Sequence, residues 1–233
     1  MDMSEDCNCG HTLRDISHFK SAIRNFRTEY YELHPDLMKR LTSEGQAPAT
    51  LIIACCDSRV ETGLLMQAQP GELFTVRNVA NLVPPYEPDE ELHGTSAAIE
   101  YAVRDLKVDH IIVLGHAQCG GIRAMITKAM GKPIDRDFIG PWVSLAHRAT
   151  ELYVNSPNGY REPVSLELLE KNPSLVERAA ITGSLHNLLT YPWIKSKVEE
   201  GTLALHGWWF DIESGDLWAA QYPDLYLMPV LDE

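Results

Sequence analysis

The sequence predicts an α/β protein built on a predominantly parallel β-sheet flanked by helices, and three observations carry that reading. Leu51-Ile52-Ile53-Ala54-Cys55 and His110-Ile111-Ile112-Val113-Leu114-Gly115-His116 are continuous apolar runs, the pattern of strands covered on both faces. Leu73-Phe74-Thr75-Val76 and Leu203–Phe210 supply two further candidate strands. Helical stretches at about 94–106, at 120–130 and after Pro173 separate the strands, and such alternation builds βαβ units with right-handed crossovers.

Taken in order, residues 1–11 are polar and aperiodic and read as a flexible tail, and 12–233 read as a single domain. Leu13, Ile16, Phe19, Ile23, Phe26 and Tyr30 recur at spacings of three and four, which places one apolar stripe on a long N-terminal helix. That helix precedes the first strand and is free to pack on a partner subunit. Pro84-Pro85-Tyr86-Glu87-Pro88 is a loop, and the chain carries no repeat, low-complexity tract or linker.

Composition narrows the function classes. The chain has 233 residues, 20 basic and 33 acidic, for a net charge of −13, with 45% hydrophobic and 23% charged residues. These are the proportions of a globular protein, not of a disordered one. No uncharged apolar run reaches the ~18 residues of a membrane span. The acidic balance argues against nucleic acid or an anionic membrane as a partner. Met1-Asp2-Met3-Ser4-Glu5-Asp6-Cys7 lacks the basic start and apolar stretch of a secretory signal. Five cysteines, an odd number, point to thiols used for metal binding or catalysis more than to a disulfide framework. The expectation is a cytoplasmic protein.

Two segments carry chemistry. Cys55-Cys56-Asp57-Ser58-Arg59 follows the first strand, and His116-Ala117-Gln118-Cys119-Gly120-Gly121 follows the third. Open α/β sheets bind ligands at the carboxyl ends of strands, where the strand order reverses. If those two strands are neighbours, Cys55, His116 and Cys119 converge there. Two thiolates and one imidazole leave a fourth position open on a tetrahedral zinc, the arrangement of a catalytic site. Cys119, at the start of a helix, gains from the unpaired N–H groups and the dipole there. Taken singly, either cysteine reads as buried core and His116 as a hydrogen-bonded loop residue; their joint placement favours the metal. Cys56 should point away from Cys55 by strand alternation. Cys7-Asn8-Cys9-Gly10-His11 could also bind a metal, but it falls in the tail. Asp57 could coordinate the ion or hydrogen-bond its water. Arg59 decides between these if it pairs with Asp57 through two bonds, which holds the carboxylate off the metal and lowers its pKa.

These segments resemble the β-class carbonic anhydrases, specifically their plant-like branch. The resemblance rests on Ala54-Cys55-Cys56-Asp57-Ser58-Arg59-Val60, Pro70-Gly71-Glu72-Leu73-Phe74-Thr75-Val76-Arg77-Asn78, Gly94-Thr95-Ser96-Ala97-Ala98-Ile99-Glu100-Tyr101 and Gly115–Gly121, with Leu205–Ile212 beyond. It implies one Zn2+ per subunit on Cys55, His116 and Cys119, with Asp57 and Arg59 as a catalytic dyad. It also implies a substrate pocket of Gln46, Phe74 and Tyr101, with Gly120 beside it. The implied assembly is a homodimer or a multiple of dimers with the cleft at the subunit interface. The implied reaction is reversible hydration of carbon dioxide to bicarbonate and a proton, through hydroxide on the zinc, whose water drops from a pKa of 15.7 to about 7 in favourable sites. No proton shuttle is identifiable; His93 and His110 are the unranked candidates.

Three other readings compete. The same fold and zinc could hydrolyse carbon disulfide or carbonyl sulfide. A non-catalytic protein could hold a structural zinc, which calls for four protein ligands. A thiol redox protein is disfavoured, because neither cysteine pair has the Cys-x-x-Cys spacing.

Overall fold

The computed structural model describes residues 15–153 and 165–230. The tail expected over 1–11, with Cys7 and Cys9, lies outside them, as does Leu13 of the stripe. Two compact units follow one another along the chain, Met1–Gln46 and Ala47–Glu233.

In the first unit, α1 (Ser17–Arg27) runs into a π-helical turn (Thr28–Leu33), and α2 (Pro35–Glu44) follows. Over the described part of the stripe the expected helix is continuous from Ser17 through Tyr30, α1 passing into the π-helical turn with helical backbone angles. The chain breaks only at His34, and Pro35, which lacks an N–H but suits a first turn, opens α2. Ile16, Phe19 and Ile23 of the stripe are exposed by 63%, 58% and 68%, so α1 shows its apolar face to solvent.

The second unit is the α/β body. Its elements are β1 (Thr50–Cys55), α3 (Thr62–Leu65), β2 (Leu73–Asn78), α4 (Gly94–Glu100), β3 (His110–His116), α5 (Gly120–Ala129), α6 (Ile139–Tyr153), α7 (Leu166–Lys171), α8 (Pro173–Leu188), α9 (Pro192–Glu199), β4 (Ala204–Phe210), β5 (Leu217–Gln221) and β6 (Asp224–Pro229). The strand order is β2-β1-β3-β4-β5-β6. The first four strands are parallel, while β5 and β6 continue the sheet antiparallel. The helix expected over 94–106 is α4 plus a π-helical turn, Tyr101–Asp105.

The apolar runs of β1 and β3 are buried on both faces, as a parallel interior requires. Leu51, Ile53, Ile111 and Val113 pack with Ile99, Val103, Ile181 and Leu185 on one face. Ile52, Ala54, Ile112 and Leu114 pack with Val60 on the other. Helix α8 lies hard against the sheet. A Cβ on Gly115 would sit 2.7 Å from Ile181 Cδ1, and one on Gly207 would sit 2.9 Å from Ile181 Cγ2, so both strands need glycine where α8 crosses.

Candidate metal centre

Strands β1 and β3 are neighbours in register, so Cys55 and His116 finish close together at the carboxyl ends of two interior strands. The chain leaves β1 for β2 on one side and returns across β1 to β3 on the other, which opens a crevice at the carboxyl ends. From His116 the backbone turns through Gln118 in the left-handed region, φ +59, and Cys119 caps the start of α5. Cys55, His116 and Cys119 are all buried, and their ligand atoms lie within 4.8 Å of one another; among the described residues no other group of three such side chains does this.

The donor set fits zinc. Two sulfurs about 2.3 Å from one tetrahedral zinc stand about 3.8 Å apart; the Cys55 and Cys119 sulfurs are 3.9 Å apart. His116 Nδ1 donates to the Ala117 carbonyl at 2.8 Å, which leaves Nε2 with its lone pair. That Nε2 is buried without a hydrogen-bond partner. A bare buried imidazole nitrogen beside two sulfurs is costly unless a cation takes it.

The electrostatics agree. Cys119 donates toward Cys55 and holds the Cys55 thiol well below its ordinary range against the opposing effect of burial; His116 and the Ala80 and Asp57 N–H groups lower it further. The same bond, then burial, pushes Cys119 up, while the Ile122 and Gly121 N–H groups of α5 pull it back. Burial pushes the His116 imidazole down, but Cys55, the Ala117 carbonyl and Asp57 outweigh it and the net shift is upward. A divalent cation resolves the conflict by stabilising both sulfurs as thiolates. The four N–H groups aimed at sulfur also draw charge off the thiolates, so they donate less to the metal.

Asp57 stands beside the triad, its Oδ2 3.9 Å from His116 Nε2. Arg59 donates from Nε to Oδ1 at 3.0 Å and from Nη2 to Oδ2 at 2.8 Å, and the Arg59 backbone N–H adds a third bond to Oδ1 at 3.0 Å. The Arg59 guanidinium holds the Asp57 carboxyl far below the usual carboxylate range, against the effect of burial. Arg59 Nη2 also donates to the Gln118 carbonyl at 3.2 Å, tying the loop of Cys55 to that of Cys119.

Several braces have no signal in local sequence patterning. Arg77 on β2 donates to the carbonyls of Cys55, Asp57 and Val60 at 2.8–3.1 Å and so shapes the loop that carries Asp57. Ala80 reaches Cys55 with its N–H from a left-handed φ of +66, in a turn held by Asn78 through Leu82 and by Trp142 through the Val79 carbonyl. Gly121 lets α5 sit on that turn: a Cβ there would be 2.7 Å from Val79 Cγ1 and 2.8 Å from Ala80 Cβ. Glu177 of α8 accepts from the Cys119 N–H.

The remaining expected residues fall in different places. Cys56 is exposed, opposite Cys55 in the strand alternation. Gly120 is exposed at the first turn of α5, with nothing within 4 Å of where a Cβ would lie. Phe74 pairs with Leu51, four residues before Cys55, which puts it about 13 Å down the sheet from the crevice. Tyr101 goes with it, the two ring centroids 5.8 Å apart. One chain therefore does not bring Phe74 to its own metal-type cluster. Gln46 is the exposed last residue of the first unit, after Gly45 has ended α2 at φ +84. His110 opens β3, about 20 Å from His116 at its far end, and Nδ1 sits 3.2 Å from His206 Nε2. His93 is bonded to Asp89 at 2.6 Å just before α4.

An α/β sheet with a buried Cys-His-Cys cluster at its switch point, three donors beside a clamped aspartate, defines a metal site of the water-activating type. Residues 50–217 match the family model described as carbonic anhydrase. The carbonic anhydrase of Synechococcus elongatus is 34% identical over 196 residues, covering 84% of this chain and 68% of that protein. Beta carbonic anhydrase 5 of Arabidopsis thaliana, a chloroplastic protein, is 42% identical over 171 residues; the match covers 72% of this chain and about half, 53%, of that one. The solved structure of the β-carbonic anhydrase CcaA superimposes with a TM-score of 0.73 at 30% identity, covering 93% of each chain. The chain belongs to the β-carbonic anhydrase family.

Proposed function

We propose that this protein catalyses the reversible hydration of carbon dioxide to bicarbonate and a proton, with one zinc ion held by Cys55, His116 and Cys119. The observation that carries the reading is a three-donor cluster whose nearest carboxylate is locked onto Arg59. Zinc bound there supplies the Lewis acidity that makes water a nucleophile near neutral pH.

The chain's own groups do the rest. Asp57, kept ionised by Arg59, is an acceptor only; it takes a hydrogen bond from the attacking oxygen and aims its lone pair at carbon. Arg59 prevents that carboxylate from rotating toward the ion. The open backbone at Gly120, on the first turn of α5, leaves room for a bicarbonate oxygen near the helix N-terminus. By the family resemblance Gln46 donates its amide to bicarbonate as charge develops, and Phe74 with Tyr101 walls an apolar slot for a small uncharged substrate. Since Phe74 sits about 13 Å along the sheet from its own Cys55, these rings serve the cleft of a second copy of the chain, in a dimer or a multiple of dimers. The exposed apolar face of α1 suits burial in the same assembly. No helix among the described residues is long and apolar enough to cross a membrane. A cytoplasmic setting suits two sulfurs 3.9 Å apart that must stay reduced.

The test is metal content alongside stopped-flow carbon dioxide hydration on the purified protein. One zinc per chain with metal-dependent turnover is the expected result; turnover unaffected by complete metal removal overturns the reading.

A further inference from the structure

Helix α8 buries nine of its sixteen residues, and one of the nine is an acid in its second turn. Glu177 is 3% exposed among Val176, Ala180 and Ile181. A carboxylate in such surroundings needs partners, and it has one on each oxygen. Oε1 accepts from the Cys119 N–H at 3.1 Å, and Oε2 accepts from Trp209 Nε1 at 3.1 Å. The two donors belong to different elements, the start of α5 and the carboxyl end of β4. Trp209 is itself fixed: the Arg178 guanidinium carbon lies 4.3 Å over its ring and 4.3 Å over that of Trp218. The Cys119 N–H precedes the first turn of α5 and has no helical carbonyl to meet.

We propose that Glu177 is the positioning residue of Cys119, a buried carboxylate on α8 that anchors the N–H at the start of α5 and so holds the second sulfur of the cluster in place for the metal. The proposal rests on the metal-centre reading above. Glu177 does not face the crevice chemistry; it acts through the Cys119 backbone.

The bond pattern dictates the variants. Glutamine has one oxygen and one amino group, so Glu177→Gln must turn its amino group toward one of two N–H donors. Trp209→Phe removes one donor, so the double variant Glu177→Gln/Trp209→Phe lets the single oxygen stay on Cys119. The readouts are the thiolate-to-cobalt absorption bands of the Co2+-substituted full chain and the rate of metal release to a chelator. Wild-type protein should show the two-thiolate bands. Glu177→Gln should shift them and speed release by about 10–100-fold, the usual effect of losing an outer-sphere support, and the double variant should recover most of that loss. Glu177→Gln with wild-type bands and release, or a double variant no better than the single, overturns the proposal and leaves the metal centre standing. Wild-type protein without thiolate bands overturns both. If circular dichroism shows that Glu177→Gln does not fold, Trp209→Phe alone decides. It keeps the Cys119 bond, so release should stay within about threefold of wild type, whereas release about tenfold faster shows that the indole bond matters instead and overturns the proposal.

Discussion

Arg59 grips both carboxylate oxygens of Asp57, at 3.0 and 2.8 Å, and so holds that group 3.9 Å from the bare Nε2 of His116 without letting it become a ligand. The grip depends on the planar fork of guanidinium, which an ammonium cannot reproduce. Arg59→Lys should therefore keep zinc and lose about 10–100-fold in kcat/KM. Metal analysis with stopped-flow kinetics checks this; an unchanged kcat/KM removes the clamp from the mechanism.

Asp57→Asn probes the acceptor itself. The amide keeps the shape but presents a donor where the nucleophile needs an acceptor. Zinc content should stay near one per chain while kcat falls by about 10²–10⁴, the span expected for a lost proton-handling contact. A zinc-loaded variant with full turnover shows that Asp57 does no such work.

Zinc removal should cost stability as well as activity. A ligand present at about 1,000 times its Kd stabilises the folded state by about 4 kcal/mol. For a chain of 233 residues that is a Tm shift of roughly 10 °C. Calorimetry before and after chelation measures it, and thiol titration of the folded protein should gain the two buried cysteines on chelation. No change in either measurement is incompatible with Cys55 and Cys119 as ligands.

What could be read in advance follows from the range of each physical signal. Continuous burial marked β1 and β3, and strand alternation separated Cys55 from Cys56, because both are properties of a few adjacent residues. The β5–β6 hairpin was missed. Leu217-Trp218-Ala219-Ala220-Gln221 has no clean two-residue period, and its pairing is irregular between Ala219 and Gln221. Period two assigns a residue to a face but not to a depth, so only the pairing of Phe74 with Leu51 reveals how far that ring lies from Cys55. Arg77 and Glu177 act on backbone groups distant in sequence, and nothing in their own segments announces it.

His206 predicts a pH dependence away from the metal. Burial, helped by His110, holds its folded-state pKa below the ordinary histidine value. The unfolded chain thus binds the proton more readily as pH falls through about 6.5, so stability declines on the acid side of that value and recovers above it. His206→Gln should flatten the fall in urea midpoint between about pH 7 and 5. A slope identical to wild type shows that His206 does not contribute.

The last prediction concerns the two halves of the cleft. If Phe74 serves a partner's crevice, Phe74→Ala and Asp57→Asn damage different chains' contributions to one site. Each variant alone should be weak, and mixed dimers of the two should be active. In such a dimer one site receives both lesions and the other neither. Random subunit exchange makes about half the dimers mixed, each with one intact site, so activity should return to roughly a quarter of wild type. Were the slot built within one chain, every site would carry one lesion, and mixing would give only the average of the two weak variants. The assay is carbon dioxide hydration before and after exchange, with differently tagged chains to count the mixed dimers. Activity that stays at the average shows that Phe74 acts in its own chain or not at all.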